Sequence, residues 1–184
     1  MSIVNDRQES LVRRLRAGDR TAAAELADAY YQQIYLFIRR LGHSKPVSED
    51  LTQECFLAAW QHLGQLRDDT ALSSWLYRIA GNVSKMYWRR HKSDPISMEQ
   101  ISLAGSSDAD ANTEQAEQFR RVRSALLKMP MKWRQVVILH YMQNLTITEA
   151  AEAAGVRQGV FKSRLNAAIK NLRKRLAEPV DGEL

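Results

Sequence analysis

The sequence has a single cysteine and no long apolar run, whereas paired cysteines or such a run would be expected in a secreted or membrane protein. Cys55 is the one cysteine among 184 residues, so no internal disulfide can form, which favours a reducing compartment. The longest aliphatic run, Val136–Leu139, is far too short to cross a bilayer, and the first residues lack the apolar core of a signal peptide. We therefore expect a cytoplasmic protein in which Cys55 is a buried structural residue rather than a redox switch.

Glycine and proline are also scarce, and no stretch shows the two-residue alternation typical of β-strands. Apolar residues recur at helical spacing almost throughout, which predicts an all-α protein. The pattern breaks where Asp94-Pro95 and Gly105–Ser107 favour turns and extended chain. We predict two small helical domains, residues 1–92 and 114–184, joined by a flexible linker at 93–113.

Charge is distributed unevenly between these parts of the chain. The net charge is +3 through Asp94 (14 basic and 11 acidic residues), −3 from Pro95 to Thr113 and +6 from Glu114 onward (13 and 7). Two basic blocks thus flank an acidic spacer. This clustering favours a polyanionic partner, although scattered lysines and arginines are the commoner cause of a mildly high isoelectric point.

The apolar periodicity predicts four helices before the linker and about four after it. The first four are placed near Arg7–Arg16, Thr21–Leu41, Ser48–Leu63 and Ser73–Lys92, with a turn at Gly42–Pro46. Each should turn one apolar face toward a shared core.

The second domain has the pattern of a helix-turn-helix. Thr146 and Glu149 fit a capping box that starts a short helix, and Gly155 supplies a tight turn before a longer helix from about Arg157 to Leu176. Seven basic residues and no acidic one lie between Arg157 and Arg175. One face of this helix is polar and basic, and it consists of Lys162, Ser163, Asn166, Lys170 and Arg173. Such a face suits the major groove of DNA, while the alternative is a basic helix that only covers a bundle.

A second basic stripe follows the helix predicted at Ser73–Lys92. Its members fall within about 80° of one another on a helical wheel, and they are Arg78, Asn82, Lys85, Arg89 and Lys92. Trp75, Tyr77 and Trp88 flank the stripe, and such aromatic rings either stack on unpaired bases or belong to the core.

The helix predicted at Ser48–Leu63 carries a polar side that is acidic rather than basic. Asp50, Gln53, Glu54 and Gln61 share it, so these side chains face either solvent or an outside partner. Asp50 and Glu54 could be two metal ligands, but no histidine or third acid completes a site at suitable spacing.

Three segments, in chain order, resemble the functional segments of extracytoplasmic-function sigma factors, which are subunits of bacterial RNA polymerase. Asp50–Trp60 (Asp-Leu-Thr-Gln-Glu-Cys-Phe-Leu-Ala-Ala-Trp) is similar to their core-polymerase-binding segment. Ser73–Asn82 is similar to their promoter-melting segment, and Gly159–Leu165 is similar to their Gly-Thr-Val-Lys-Ser-Arg recognition helix. The resemblance covers residues 8–177 and agrees with the predicted domain boundary.

The resemblance implies a sigma region 2-like bundle followed by a helix-turn-helix domain like sigma region 4. It assigns the polymerase contact to Asp50, Gln53 and Glu54, the minus-ten contact to Arg78, Asn82, Lys85, Trp88 and Arg89, and the minus-thirty-five contact to Arg157, Lys162, Ser163, Arg164, Asn166, Lys170 and Arg173. The loop Gly64–Leu72 would hold a flipped minus-ten base.

The partners implied by the resemblance are core RNA polymerase, promoter DNA and an anti-sigma protein, membrane-anchored or soluble. It implies no catalysis, no cofactor, no metal and no small-molecule substrate. Two other classes stay open: a helix-turn-helix repressor or activator, which would not require the first basic stripe, and a metal-dependent nuclease. The nuclease is disfavoured because the four histidines fall in separate predicted elements without ligand spacing.

Overall fold

The computed structural model describes residues 3–91 and 114–177, with side chains at 6–91 and 117–177. Within these ranges the regular elements are helices and no strand occurs, so the predicted all-α class is confirmed. The predicted linker at 93–113 and the stripe residue Lys92 lie outside the described residues.

Four helices form the N-terminal domain, as the periodicity predicts. They are α1 (Ile3–Arg16), α2 (Arg20–Arg40), α3 (Lys45–His62) and α4 (Leu72–Arg90), and two short 3₁₀ turns lie in the loop before α4. Helix α3 begins three residues earlier than predicted. Pro46 does not prevent this, because the first turn of a helix has unpaired N–H groups and the fixed φ of proline suits it.

The C-terminal domain contains α5 (Glu114–Leu127), α6 (Met131–Val137), α7 (Ile147–Ala154) and α8 (Gln158–Ala177). A π-helical turn, Ile138–Met142, continues α6. We did not predict this turn.

The predicted capping box and tight turn of the helix-turn-helix are both confirmed. The Glu149 amide donates to the Thr146 hydroxyl at 3.3 Å, and the Thr146 amide donates to the Glu149 carboxylate at 2.8 Å. Gly155 ends α7 with φ of +67°, a conformation that favours glycine. At the other side of the turn, the Gln158 side chain donates to the Thr148 hydroxyl at 3.0 Å and ties the starts of α7 and α8 together.

The two domains pack against each other, with α4 lying along α7, and their buried side chains form one continuous core. Its largest fully buried members include Phe37, Phe161, Leu72, Leu76 and Ile138. Cys55 is fully buried, as predicted, and burial raises the pKa of its thiol to about 12, which keeps it protonated. Among the described helices, none is long and apolar enough to cross a membrane.

Candidate nucleic-acid and protein interfaces

The outer face of α3 carries the residues predicted to contact a protein partner. Asp50, Gln53 and Glu54 are all exposed there, while Leu51 and Cys55 point into the core. No hydrogen bond or ion pair within the described chain uses the Asp50 or Glu54 carboxylate, so both charges remain available to an outside partner.

Apolar side chains adjoin these acids, and our sequence prediction missed them. Leu57 is 64% exposed and Trp60 is 46% exposed, one and two turns after Gln53 on the same helix. Beside them, the exposed Tyr31 ring of α2 stacks on Phe56 with centroids 6.2 Å apart. The spacing from Gln53 to Leu57 contained the signal, because residues four apart share a helix face. A large exposed leucine and tryptophan beside acids indicate a protein-binding surface.

The predicted basic stripe on α4 is exposed in the structure. Arg78, Asn82, Lys85 and Arg89 all face solvent along one side of the helix. Partial desolvation, together with the neighbouring cations Arg164 and Arg78, lowers the pKa of Lys85.

The aromatic residues that flank the stripe differ in their surroundings. Tyr77 belongs to the core, and its hydroxyl donates to the Gln143 side chain of the C-terminal domain at 2.8 Å. Trp88 is half-buried and stacks on His43 with ring centroids 4.8 Å apart. Of the three, only the half-buried Trp75 lines the groove described next.

A groove of about 860 Å³ lies between the loop before α4 and the first turns of that helix. Its lining includes Arg67, Ser74, Trp75, Arg78 and Asn82. An aromatic ring with cationic and amide side chains around it suits an unstacked base and its phosphate.

Arg16 of α1 holds this loop in place. Its guanidinium donates to the Leu66 carbonyl at 2.6 Å and pairs with Asp69 at 2.8 Å. Asp68 stabilises the same loop by accepting from the amide and hydroxyl of Thr70, and these hydrogen bonds lower the pKa of its carboxyl group.

Helix α8 presents most of its predicted DNA-contacting residues to solvent. Phe161, Leu165 and Ala168 are buried against α6 and α7, as the helical wheel predicts. The exposed positions are Arg157, Lys162, Ser163, Asn166, Lys170 and Arg173. Arg164 differs because it is half-buried and lies toward Lys85 of α4.

In the described residues, no three His, Cys, Asp or Glu side chains group closely enough to hold a metal ion.

The described chain offers three solvent-facing surfaces: an acidic and apolar one on α3, and two basic ones on α4 and α8.

Comparison with known families matches both domains. The family model of Sigma-70 region 2 covers residues 26–93, and that of Sigma-70 region 4 covers residues 119–172. The match to region 2 decides against a simple repressor or activator, one of the two alternatives that the sequence had left open.

Relatives of known class align over most of this chain. The ECF RNA polymerase sigma factor SigM of Mycobacterium tuberculosis is 31% identical over 160 residues, which is 87% of this chain and 80% of that protein. SigW of Bacillus subtilis is 28% identical over 91% of this chain and 95% of its own length. The sigma-E factor of Escherichia coli is 30% identical over 84% of this chain and 86% of its own.

Two solved structures share the fold at 21% sequence identity. CnrH in complex with the cytosolic domain of CnrY has a TM-score of 0.68 and covers 92% of this chain and 96% of that one. RpoE of Bartonella quintana in complex with the anti-sigma factor NepR has a TM-score of 0.67 and covers 86% of this chain and 98% of that one. Because regions 2 and 4 follow in order and a curated relative exceeds 30% identity, this chain belongs to the extracytoplasmic-function group of bacterial RNA polymerase sigma factors.

Proposed function

We propose that this sigma factor binds core RNA polymerase through the outer face of α3. Asp50, Gln53 and Glu54 would meet a basic surface of the polymerase, and the adjoining Leu57 and Trp60 would supply apolar contact area. Exposed carboxylates steer and orient the encounter, while buried aromatic and aliphatic anchors supply most of the affinity.

The second part of the proposal assigns promoter opening to α4 and the groove beside it. Separating the strands costs stacking energy, which the protein offsets by holding an extruded base against Trp75 in the groove formed with Gly64–Leu72. Arg78, Asn82, Lys85 and Arg89 then contact the backbone of the single strand, with Trp88 at the edge of the same face.

The third part assigns recognition of the minus-thirty-five element to α8. Lys162, Ser163 and Asn166 lie on the exposed face near the helix N-terminus, from which side chains reach base edges in the major groove. The other cations predicted to contact this element, Arg157, Arg164, Lys170 and Arg173, would contact phosphates along the groove.

As a transcription initiation factor, the protein would act in the cytoplasm and would catalyse no reaction itself. We further propose that an anti-sigma protein controls it. Two structures that share this fold support the proposal. RpoE was solved in complex with the anti-sigma factor NepR, and CnrH was solved in complex with the cytosolic domain of CnrY.

The observation that carries the proposal is the groove that opens directly beside the exposed basic stripe of α4. Multi-round transcription on a promoter library, with purified core polymerase and with or without this protein, tests it. We expect a defined set of promoters to give transcripts only when the protein is present. An unchanged transcript set would overturn the proposal, as would sequence-specific binding of the protein to duplex operators without polymerase.

A further inference from the structure

Helix α1 supports the loop that forms one wall of the groove beside α4. The match to region 2 begins at residue 26, after the whole of α1, so that match gives this helix no role. In the structure, α1 packs against both of the short 3₁₀ turns that precede α4, Leu63–Gln65 and Asp69–Ala71. Residues of both turns, and residues between them, line the groove.

The exposed middle of this loop consists of Arg67 and Asp68, which both line the groove. The chain is buried at Leu66 on one side and at Leu72 on the other. Asp68 also accepts a hydrogen bond from the Thr70 amide at 2.9 Å, which turns its carboxylate toward its own loop. The shape of this wall of the groove therefore depends on where the short exposed segment is held.

The guanidinium of Arg16 contacts the loop on both sides of this segment. Its Nη2 donates to the Leu66 carbonyl at 2.6 Å and lies 2.8 Å from Asp69 Oδ1, while its Nη1 donates to Asp69 Oδ2 at 3.1 Å. Leu66 directly precedes Arg67, and Asp69 directly follows Asp68, so one side chain fixes both ends of the segment. The planar fork of arginine suits this paired contact with a carboxylate, which the compact ammonium of lysine does not reproduce.

The helix that carries Arg16 is itself fixed in the N-terminal domain. Three of its apolar side chains are buried in the core, and they are Leu11, Val12 and Leu15. Arg14, two residues before Arg16, pairs with Asp19 at 3.0 Å and with Glu25 of α2 at 2.7 Å. Because α1 is anchored in this way, Arg16 can hold the loop in a constant position.

The ion pair between Arg16 and Asp69 also offsets a negative charge close to the groove. The charged groups that line the groove are Arg67, Arg78, Asp68 and Glu152. Two cations face two acids there, so one further unpaired carboxylate at Asp69 would favour repulsion of an incoming phosphate. Arg16 does not line the groove, so its effect on a bound base passes through the loop.

We propose that Arg16 is a positioning residue for the base that the groove beside α4 binds. It acts by fixing Leu66 and Asp69, and thereby the wall formed by Arg67 and Asp68. A loop that is held in advance loses less conformational freedom when a base enters, and it presents the same polar atoms to each base, so it discriminates between bases more sharply. This inference rests on the proposed function of the groove.

Base discrimination by the holoenzyme tests the positioning role. The DNA is a forked promoter fragment in which each single-stranded minus-ten position carries A, C, G or T in turn, and the measured quantity is the ratio of the weakest to the tightest dissociation constant at the most selective position. We expect Arg16→Ala to lower this ratio by about fivefold, which is near the upper limit for an exposed ion pair. Arg16→Lys should lie between this variant and the parent, because it keeps the charge and loses the fork.

The ratio distinguishes positioning from a general loss of folded protein. Incomplete folding lowers the active fraction, which weakens apparent binding to all four bases alike and leaves the ratio unchanged. The matched control is Arg13→Ala, which removes an exposed cation of α1 that forms no ion pair within the described chain. We expect its ratio to stay within about twofold of the parental value.

Asp69→Asn provides a second, independent variant, because it keeps the size of the side chain and removes only its charge. It should reproduce part of the effect of Arg16→Ala, and in the Arg16→Ala background it should change the ratio less than it does in the parent, since the two residues act as a pair. Equal ratios for the parent, Arg16→Ala and Asp69→Asn would overturn the positioning role.

The parent holoenzyme separates failure of this inference from failure of the proposed function. If the parent prefers no base at any single-stranded minus-ten position, the groove does not bind a base, and both the assignment of the groove and the role of Arg16 are wrong. If the parent is selective and Arg16→Ala is equally selective, the assignment of the groove stands and only the role of Arg16 is wrong.

Discussion

At the scale of single residues, the outer face of α3 combines two kinds of contact in neighbouring turns. The carboxylates of Asp50 and Glu54 are exposed and unpaired in the described chain, so they carry charge at little structural cost. Leu57 and Trp60 are exposed beside them, where they lose favourable apolar burial until a partner arrives. Charge should therefore govern the approach of polymerase, and the apolar pair should govern the lifetime of the complex.

The double substitution Asp50→Arg and Glu54→Arg tests this surface. We expect it to abolish co-elution with core polymerase, because like charges would then face each other across the interface. Helicity and the unfolding midpoint should stay near those of the parent, since both side chains are exposed. The exposed Glu117→Arg on α5 serves as a charge-reversal control. Normal co-elution of the double variant would rule out docking through α3.

Residues of α8 should divide into those that discriminate bases and those that only bind DNA. Lys162 and Asn166 lie one turn apart on the exposed face, where lysine can donate to guanine and asparagine can bridge adenine. Arg173 is exposed near the end of the same helix, and we expect it to contact phosphate.

Binding selections on randomised upstream elements distinguish these two roles. We expect Lys162→Ala and Asn166→Ala to flatten the preference at particular minus-thirty-five positions, each losing about 1 to 3 kcal/mol of discrimination. Arg173→Ala should weaken all sequences alike and reduce the salt slope by about one. An unchanged preference profile with equal affinity losses in all three variants would mean that α8 does not discriminate bases.

At the scale of helices and loops, α4 serves two surfaces at once. Its exposed stripe continues the lining of the groove, since Arg78 belongs to both, and the neighbouring face is buried by the C-terminal domain. The groove keeps its shape because Arg16 of α1 holds the preceding loop by the Leu66 carbonyl. If α4 binds the minus-ten strand as we propose, the stripe would guide that strand toward a preformed groove.

Substitution of the stripe should affect strand opening more than initial binding. We expect Arg78→Ala and Lys85→Ala to reduce permanganate reactivity of minus-ten thymines while closed complexes still form, because both cations are exposed on the face that we propose binds the separated strand. Lys132→Ala, which removes an exposed cation on α6, is the control that leaves α4 intact. If the two variants open promoters normally and only bind duplex DNA more weakly, the stripe attracts DNA by charge and has no role in strand opening.

Local patterns were sufficient to predict the helices, the capping box at Thr146 and the exposed faces of α3, α4 and α8. Each depends on residues within one or two turns, whose geometry is fixed by the helix itself. The contact of Gly81 with Gln135 could not be predicted this way, because it joins residues of different domains. The same holds for Glu152 in the groove and for Arg134 at Leu41, where a polar residue in a helical pattern gives no signal of a distant partner.

At the scale of the whole molecule, the place where the domains meet is buried and basic. His43 lies there, 2% exposed, with its ring against Tyr87 and Trp88. The charged groups that act on its ring are Arg134 and Arg39. Burial first, and then the repulsion of these two arginines, lowers the pKa of His43 to about 3.

This histidine should make the folded protein sensitive to mild acid. Between pH 6.5 and pH 3 the unfolded chain binds a proton at position 43 that the folded protein does not bind. Stability therefore rises with pH across this window and is lost as pH falls. One such group contributes a slope of at most about 1.4 kcal/mol per pH unit.

Urea unfolding of the parent and of His43→Phe at pH 7.5, 6.0 and 5.0 measures this contribution. The phenyl ring keeps an aromatic contact with Trp88 and Tyr87 but does not titrate, so we expect the variant to lose less stability on acidification than the parent. His62→Phe, the same substitution at an exposed histidine, is the matched control. Parallel pH profiles for the parent and His43→Phe would show that the buried imidazole does not determine the acid sensitivity of the folded protein.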